Sequence, residues 1–376
     1  MFGKETDRGR SEVKILGIEQ KESCLAVDIS GTVSRFHYFW LRDNCPDCRS
    51  RNGQKLHETN CLDVHVHPTS IEHSDDVLTI AWSDGTQSAF PVSFLTTWAY
   101  DNVDCSVRAI TLWNSDVADQ VQRHNYDDVC SNPNTLKSWL RDVATLGFGL
   151  LQNVPPVEKK IFDVVDLFGF VRDTNYGRLF EVRAEENASN LAFTPQPLSV
   201  HTDNPYRDPC PSLQLLHCLV QAEQGGLTAL SDGFFAADKL RLESPDEFDL
   251  LTTHEVAFHY ESETAILDNR DKIISLNSDG SVRKIRINNR SIAPLQLPFD
   301  IVESYYRALS AFRSILESEA SQYRFLMQPG DLVLLDNERV LHGRAGESVG
   351  ERHLQGCYAD RDGLLSTLKV LERNGA

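Results

Sequence analysis

Two short apolar runs lead into metal-ligand chemistry. Residues 198–202 run into His201-Thr202-Asp203, and Asp331-Leu332-Val333-Leu334-Leu335-Asp336 comes just before His342. Both runs read as strands, the second as one buried on both faces. A chain that uses the three polar residues together must carry them on β structure, with strands distant in sequence meeting at one site. Two imidazoles and one carboxylate fill one face of an octahedron and leave the remaining positions open. That is the ligand set of a mononuclear non-haem iron site, where oxygen and a chelating cosubstrate bind together. A His-x-Asp pair alone recurs by chance, as a structural histidine beside an exposed turn aspartate. The distant His342 and the strand context favour the metal.

Composition narrows the class. A chain of 376 residues is long for one domain and comfortable for two, and a 41% hydrophobic share can fill a sizeable core. No run of 18 apolar residues indicates a membrane span. The polar start, MFGKETDRGRSEVK, lacks the apolar core of a secretory signal. Nine scattered cysteines, an odd number, argue against a disulfide framework and for a reducing cytoplasm. A net charge of −18 opposes non-specific binding to nucleic acid, whose phosphates demand a basic face.

Residues 1–10 read as a disordered or tag-like leader. Short alternating runs follow, Val13-Lys14-Ile15-Leu16, Cys24-Leu25-Ala26-Val27 and Val77-Leu78-Thr79-Ile80-Ala81-Trp82, with a hairpin turn at Ser83-Asp84-Gly85-Thr86. They predict a small β-rich domain over 1–95. Residues 96–134 are polar and read as a connector, and 135–376 as the catalytic domain. There, 135–145 predicts a helix with Leu136, Trp139, Leu140 and Val143 on one face. Phe148-Gly149-Leu150-Leu151 predicts a strand, and 157–170 and 299–317 predict two more helices. Many short strands with few helices suggest a closed or sandwiched β architecture.

Seven stretches carry a family resemblance: FHYFWLRDNCPDC, TNYGRLFEVR, LSVHTDNP, LQLLHC, GGLTALSDGF, PGDLVLLDNERVLHGR and RHLQGCYADRDGL. The chain resembles the gamma-butyrobetaine and trimethyllysine dioxygenases, a branch of the iron and 2-oxoglutarate oxygenases, over about residues 36–365. The resemblance implies a double-stranded β-helix, or jelly roll, holding iron(II) at His201, Asp203 and His342. It implies hydroxylation, with O2 and 2-oxoglutarate consumed and succinate and carbon dioxide released. Halogenating relatives lack the carboxylate that Asp203 supplies. By family position Arg352 grips the far carboxylate of 2-oxoglutarate through its planar fork, with Thr228 donating a hydroxyl. Arg344 is the second candidate, or a residue paired behind the site.

The resemblance also implies a small zwitterionic substrate. A trimethylammonium group cannot donate a hydrogen bond, so aromatic faces recognise it. The family cage carries over to Tyr176, Phe180, Phe193 and Tyr358, with Phe180 and Phe193 standing where gamma-butyrobetaine enzymes often have Trp and Tyr. Asn190 corresponds to a residue that binds the substrate anion, and the pair Asn288-Asn289 falls where a second such asparagine lies. Arg290 departs from the pattern. An added guanidinium there suggests an anion more highly charged than a carboxylate, and bacterial relatives hydroxylate 2-(trimethylammonio)ethylphosphonate. That substrate is the first expectation, gamma-butyrobetaine the second, and a non-enzymatic betaine-binding jelly roll the alternative of another class.

Cys45-Pro46-Asp47-Cys48 is half of a zinc knuckle. The resemblance implies structural zinc in this loop, completed by a later histidine, but Thr86 occupies that position. His57, Cys61, His65 and His67 are substitutes, and a tight turn with two buried thiols is the alternative. The resemblance further implies a homodimer.

Overall fold

The computed structural model describes residues 13–101, 110–183 and 196–375, so the leader 1–10 lies outside it. The chain divides into two compact units, Met1–Val107 and Arg108–Ala376. In the first, β1 (Ile15–Gln20), β2 (Cys24–Ile29) and β3 (Thr32–His37) form one antiparallel sheet, followed by α1 (Tyr38–Asp43). A second antiparallel sheet comprises β4 (Pro68–His73), β5 (Val77–Trp82) and β6 (Gln87–Pro91), followed by α2 (Val92–Trp98). Alternate residues of β5, namely Leu78, Ile80 and Trp82, turn into a core shared with Leu25, Phe36, Leu41 and Phe90. The β5–β6 turn falls where the sequence predicts it, with Gly85 at φ +80°.

The second unit begins with β7 (Arg123–Asn125), α3 (Tyr126–Ser131), α4 (Pro133–Leu146), β8 (Phe148–Gln152) and α5 (Lys160–Val165). Next come β9 (Val171–Arg172), β10 (Phe180–Arg183), β11 (Leu198–His201), β12 (Leu213–Val220) and β13 (Gln224–Asp232). A long excursion carries α6 (Gly233–Glu243), α7 (Pro245–Thr253), β14 (Glu255–Glu261), β15 (Ile266–Lys272), β16 (Ile274–Leu276), β17 (Val282–Ile285) and α8 (Phe299–Glu317). The chain then returns through β18 (Gln322–Phe325), β19 (Leu332–Asp336), β20 (Val340–Val349), β21 (His353–Ala359) and α9 (Arg361–Arg373). The stretch read as a connector, 96–134, contains the end of α2 and all of β7 and α3.

Two sheets face each other. One has the order β10-β21-β12-β19-β8-β7, with β9 beside β21, and the other the order β11-β20-β13-β18. Along the chain β10, β12, β19 and β21 belong to the first, and β11, β13, β18 and β20 to the second. This shuttling between sheets is the jelly roll that the resemblance implied. The apolar run of β19 is continuous because both of its faces are buried. Leu332 and Leu334 pack with Trp139, Leu140 and Val143 of α4, while Val333 and Leu335 pack between the sheets with Phe148, Leu150 and Leu230.

α4 starts before its predicted position because Asn132 caps it, accepting a bond from Asn134 N, and Pro133 pre-sets the first turn. α5 is much shorter than the predicted 157–170. Lys159 sits at φ +65°, which no α-helix accommodates, and its N–H bonds to Gln355 Oε1 instead. α8 spans the stretch predicted for it. No helix among the described residues is long and apolar enough to cross a membrane.

Candidate active site

His201 ends β11 and lies opposite His342 of β20, while Leu230 of β13 flanks His342 on its other side. The two imidazole centroids are 4.5 Å apart. Asp203 follows in a loop pinned from several sides. Thr202 N donates to Ile287 O (2.8 Å), Asp203 N donates to Asn337 Oδ1 (2.8 Å), and Asn337 Nδ2 donates to Asp203 O (3.0 Å). β11 is the edge of its sheet, and α8 caps that edge. Val200 N donates to Glu317 Oε1 (3.1 Å), and Arg313 Nη1 donates to Val200 O (2.9 Å).

Ligand atoms of His201, Asp203 and His342 lie within 4.8 Å of one another. His201 Nδ1 is 2.9 Å from Ser199 O, which can only accept, so Nδ1 carries the hydrogen and Nε2 presents its lone pair. That lone pair lies 3.1 Å from Asp203 Oδ1. With its Nε2 lone pair turned to a carboxylate oxygen, a neutral His201 is arranged as one of a pair of metal ligands, so the arrangement fits a metal. Burial would raise the Asp203 carboxyl, but its close contact with His201 and the nearby His342 ring outweighs it and holds the group well below the usual carboxylate range. Burial, then His201, pushes His342 down to about 3, leaving it a neutral ligand. A borderline-to-hard N2O donor set of this kind suits iron(II).

The triad opens into a cavity of about 560 Å³. Strand parity decides what faces it. Arg344 is two residues past His342, so it shares that face and lines the cavity opposite Thr228. Alternation therefore brings Arg344 towards the site. In β21 and just before it, Arg352, Leu354 and Tyr358 share one parity and one wall. Arg344 donates to Gln196 O at 3.1 Å. Arg352 makes no ion pair or hydrogen bond among the described residues. Burial, then the like charge of Arg344, lowers its guanidinium to about 10.

Tyr176, Phe180 and Tyr358 line the same cavity, with Phe180 stacked on Tyr358 at 5.0 Å. The stack lies over Gly356, where a Cβ would overlap the Phe180 ring. Asn288 lines the cavity but its amide is engaged. It donates to Thr202 O (3.1 Å) and accepts from Arg290 N (3.1 Å) and Nε (3.3 Å). Arg290 is an exposed residue that lines the cavity, and its guanidinium is lowered by burial against the opposing charge of Asp203. Asn289 does not join them. It is the exposed tip of the turn closed by Ser291 N to Asn288 O, so its side chain leaves the cavity lining. Asn190 and Phe193 lie outside the described residues.

Sequence reasoning missed several lining residues. Tyr206 and Tyr260 stack at 4.9 Å, and Tyr206 Oη is 3.1 Å from Tyr176 Oη. Tyr206 stands close behind the His-x-Asp pair and was findable there, whereas Tyr260 arrives from the β13–β18 excursion without a local signal. Gln214 is one of two polar positions, with His217, in the apolar strand LQLLHC, a legible anomaly. Gln214 Nε2 donates to Asp203 Oδ2 at 2.6 Å.

The zinc expectation finds no third ligand. Among the described residues no His, Cys, Asp or Glu joins Cys45 and Cys48 in a candidate metal group. His57 turns to Asp43, His67 to the carbonyl of His65, and Cys61 is exposed. Arg42 instead bonds Asp84 Oδ2 (2.8 Å) and Cys48 Sγ (3.8 Å), so an ion pair stands beside a two-thiol turn.

Residues 107–358 match the model of the taurine catabolism dioxygenase TauD, TfdA family. The chain belongs to this family. Residues 16–96 match a second model, the N-terminal part of gamma-butyrobetaine hydroxylase-like proteins. Gamma-butyrobetaine dioxygenase of Pseudomonas sp. (strain AK-1) is 35% identical over 355 residues, covering 91% of this chain and 92% of that protein. Mouse mitochondrial trimethyllysine dioxygenase is 30% identical over 94% of this chain and 86% of its own length. Human gamma-butyrobetaine dioxygenase is 30% identical over 89% and 90%. This TauD/TfdA family member is accordingly an iron(II)- and 2-oxoglutarate-dependent dioxygenase.

Proposed function

We propose that this chain hydroxylates 2-(trimethylammonio)ethylphosphonate at the carbon next to phosphorus. Iron(II) supplies the oxidising chemistry, coupling conversion of O2 and 2-oxoglutarate to succinate and carbon dioxide with hydroxylation of a C–H bond. Arg352 and Thr228 hold the far carboxylate of 2-oxoglutarate, and Arg344 adds its charge to the same wall. Tyr176, Phe180 and Tyr358, with Tyr206 and Tyr260 behind them, present π faces to the quaternary ammonium, each worth about 0.5–2 kcal/mol. The names of the relatives support that half of the substrate, since both gamma-butyrobetaine and trimethyllysine carry such a group.

Arg290 carries the choice of anion. Arg290 lines the cavity, and a doubly charged, three-oxygen anion gains more from a forked cation than a carboxylate does. Arg290→Ala is therefore expected to lower turnover of the phosphonate relative to gamma-butyrobetaine by at least about tenfold, because a charge-assisted bond is worth roughly 1.5–3 kcal/mol. The ratio of kcat/KM values in a competition assay is the quantity to measure. If the wild type prefers gamma-butyrobetaine outright, or the variant loses both activities equally, the carnitine-forming reading takes its place. The 35% identity to the Pseudomonas enzyme is what favours that second reading.

The cage has its own test. Gly356→Ala pushes a methyl into Phe180, and overpacking of this kind costs about 1–3 kcal/mol. The expected result is a substrate KM raised roughly tenfold with the KM for 2-oxoglutarate little changed. An unchanged substrate KM would remove Phe180 from the cage.

A further inference from the structure

We propose that Gln214 and Tyr358 are positioning residues that keep Asp203 a one-oxygen ligand, by holding its second oxygen. The inference rests on the iron and 2-oxoglutarate chemistry of the family and is independent of the substrate assigned above.

The backbone alone does not impose one-oxygen binding. Asp203 Oδ1 lies 3.1 Å from His201 Nε2, while Oδ2 lies 3.8 Å from His342 Nε2, so both oxygens face the imidazole pair. Carboxylates bind cations through one oxygen or two. The choice matters because three protein ligands leave three octahedral positions, two for a chelating oxo-acid and one for oxygen. A second oxygen from Asp203 would take one of them.

The structure occupies Oδ2 from the facing sheet. Gln214 Nε2 donates to it at 2.6 Å and Tyr358 Oη donates at 2.9 Å. These two donors are direct partners across β12 and β21, so a single cross-strand pair presents both. Both donors are buried, Gln214 at 1% and Tyr358 at 4% exposure, so each is held in place by its surroundings. The Phe180 ring stacked on Tyr358 restrains the second donor from behind. Oδ1 carries no bond from either donor and is the oxygen left for the metal.

The experiment uses the full chain, anaerobically. Iron(II) affinity is measured by chelator competition, and 2-oxoglutarate is then titrated while following the visible charge-transfer absorbance of the chelated oxo-acid. In Gln214→Leu and in Tyr358→Phe, 2-oxoglutarate affinity at the iron is expected to fall roughly 10–100-fold, while iron affinity falls less than about tenfold, since the freed oxygen can join the metal. A merely structural role would weaken iron binding and leave the iron-loaded fraction binding 2-oxoglutarate normally. That pattern overturns the proposal, as does 2-oxoglutarate affinity within about twofold of wild type in both variants. Tyr358→Phe keeps the ring and its stacking, so the test stands if Gln214→Leu fails to fold. A wild type without the absorbance band would overturn the iron and 2-oxoglutarate reading and this inference together.

Discussion

Alanine at His201, Asp203 or His342 is expected to abolish turnover and to weaken iron binding by well over a hundredfold. Removing only a hydrogen-bond partner of a metal ligand typically costs 10–100-fold in metal affinity or activity, and removing a ligand from a three-residue set costs more. The fold should survive each change. The imidazoles project into the cavity, and among the described residues His342 Nδ1 has no hydrogen-bond partner to lose. The loop bearing Asp203 is held by its backbone bonds to Asn337, which the substitution leaves in place. Anaerobic iron titration alongside circular dichroism separates the two effects. Near-normal turnover in any one variant would refute the assignment of that ligand.

Arg352→Ala is expected to raise the KM for 2-oxoglutarate about a hundredfold or more. Truncating one partner of a buried charge pair costs about 3–5 kcal/mol, largely because the other charge stays buried and unpaired. Arg352 is already depressed by burial and by Arg344, so an arriving carboxylate relieves two unfavourable effects at once. Arg352→Lys should recover part of the loss, since an ammonium keeps the charge and gives up the fork. Arg344→Ala is the control. If it raises the KM for 2-oxoglutarate more than Arg352→Ala does, the two roles exchange.

What the sequence made legible was local. The His-x-Asp pair, the buried run of β19, the β5–β6 turn and the apolar face of α4 each declare themselves within a few residues. Side-chain direction in irregular backbone does not. Asn288 and Asn289 look equivalent in sequence, yet one turn buries the first and exposes the second. The length of α5 depended on a left-handed Lys159 that no periodicity announces. Tyr260 reaches the cavity from a distant hairpin, and the bonds from Gln214 and Asn337 to the Asp203 loop are products of tertiary register. The half-knuckle at Cys45 and Cys48 shows the converse. The motif is plain, but among the described residues no third ligand joins its two thiols.

The opposition of His201 and His342 across β11 and β20 has a consequence for assembly. β11 is four residues long and its pairing with β20 is interrupted between Leu198 and His201, so its alignment leans on the bonds from α8 as well as on the ladder. A slip of one residue would turn His201 to the outer face. Such a chain could look folded by secondary structure and still have no triad. An ion that needs both imidazoles binds only the correctly aligned form, and at 100 times its dissociation constant it favours that form by about 2.7 kcal/mol. Iron binding would then favour the aligned form over any slipped one. Protein produced in iron-poor medium should contain a misaligned, metal-blind fraction that metal added during refolding rescues and metal added afterwards does not.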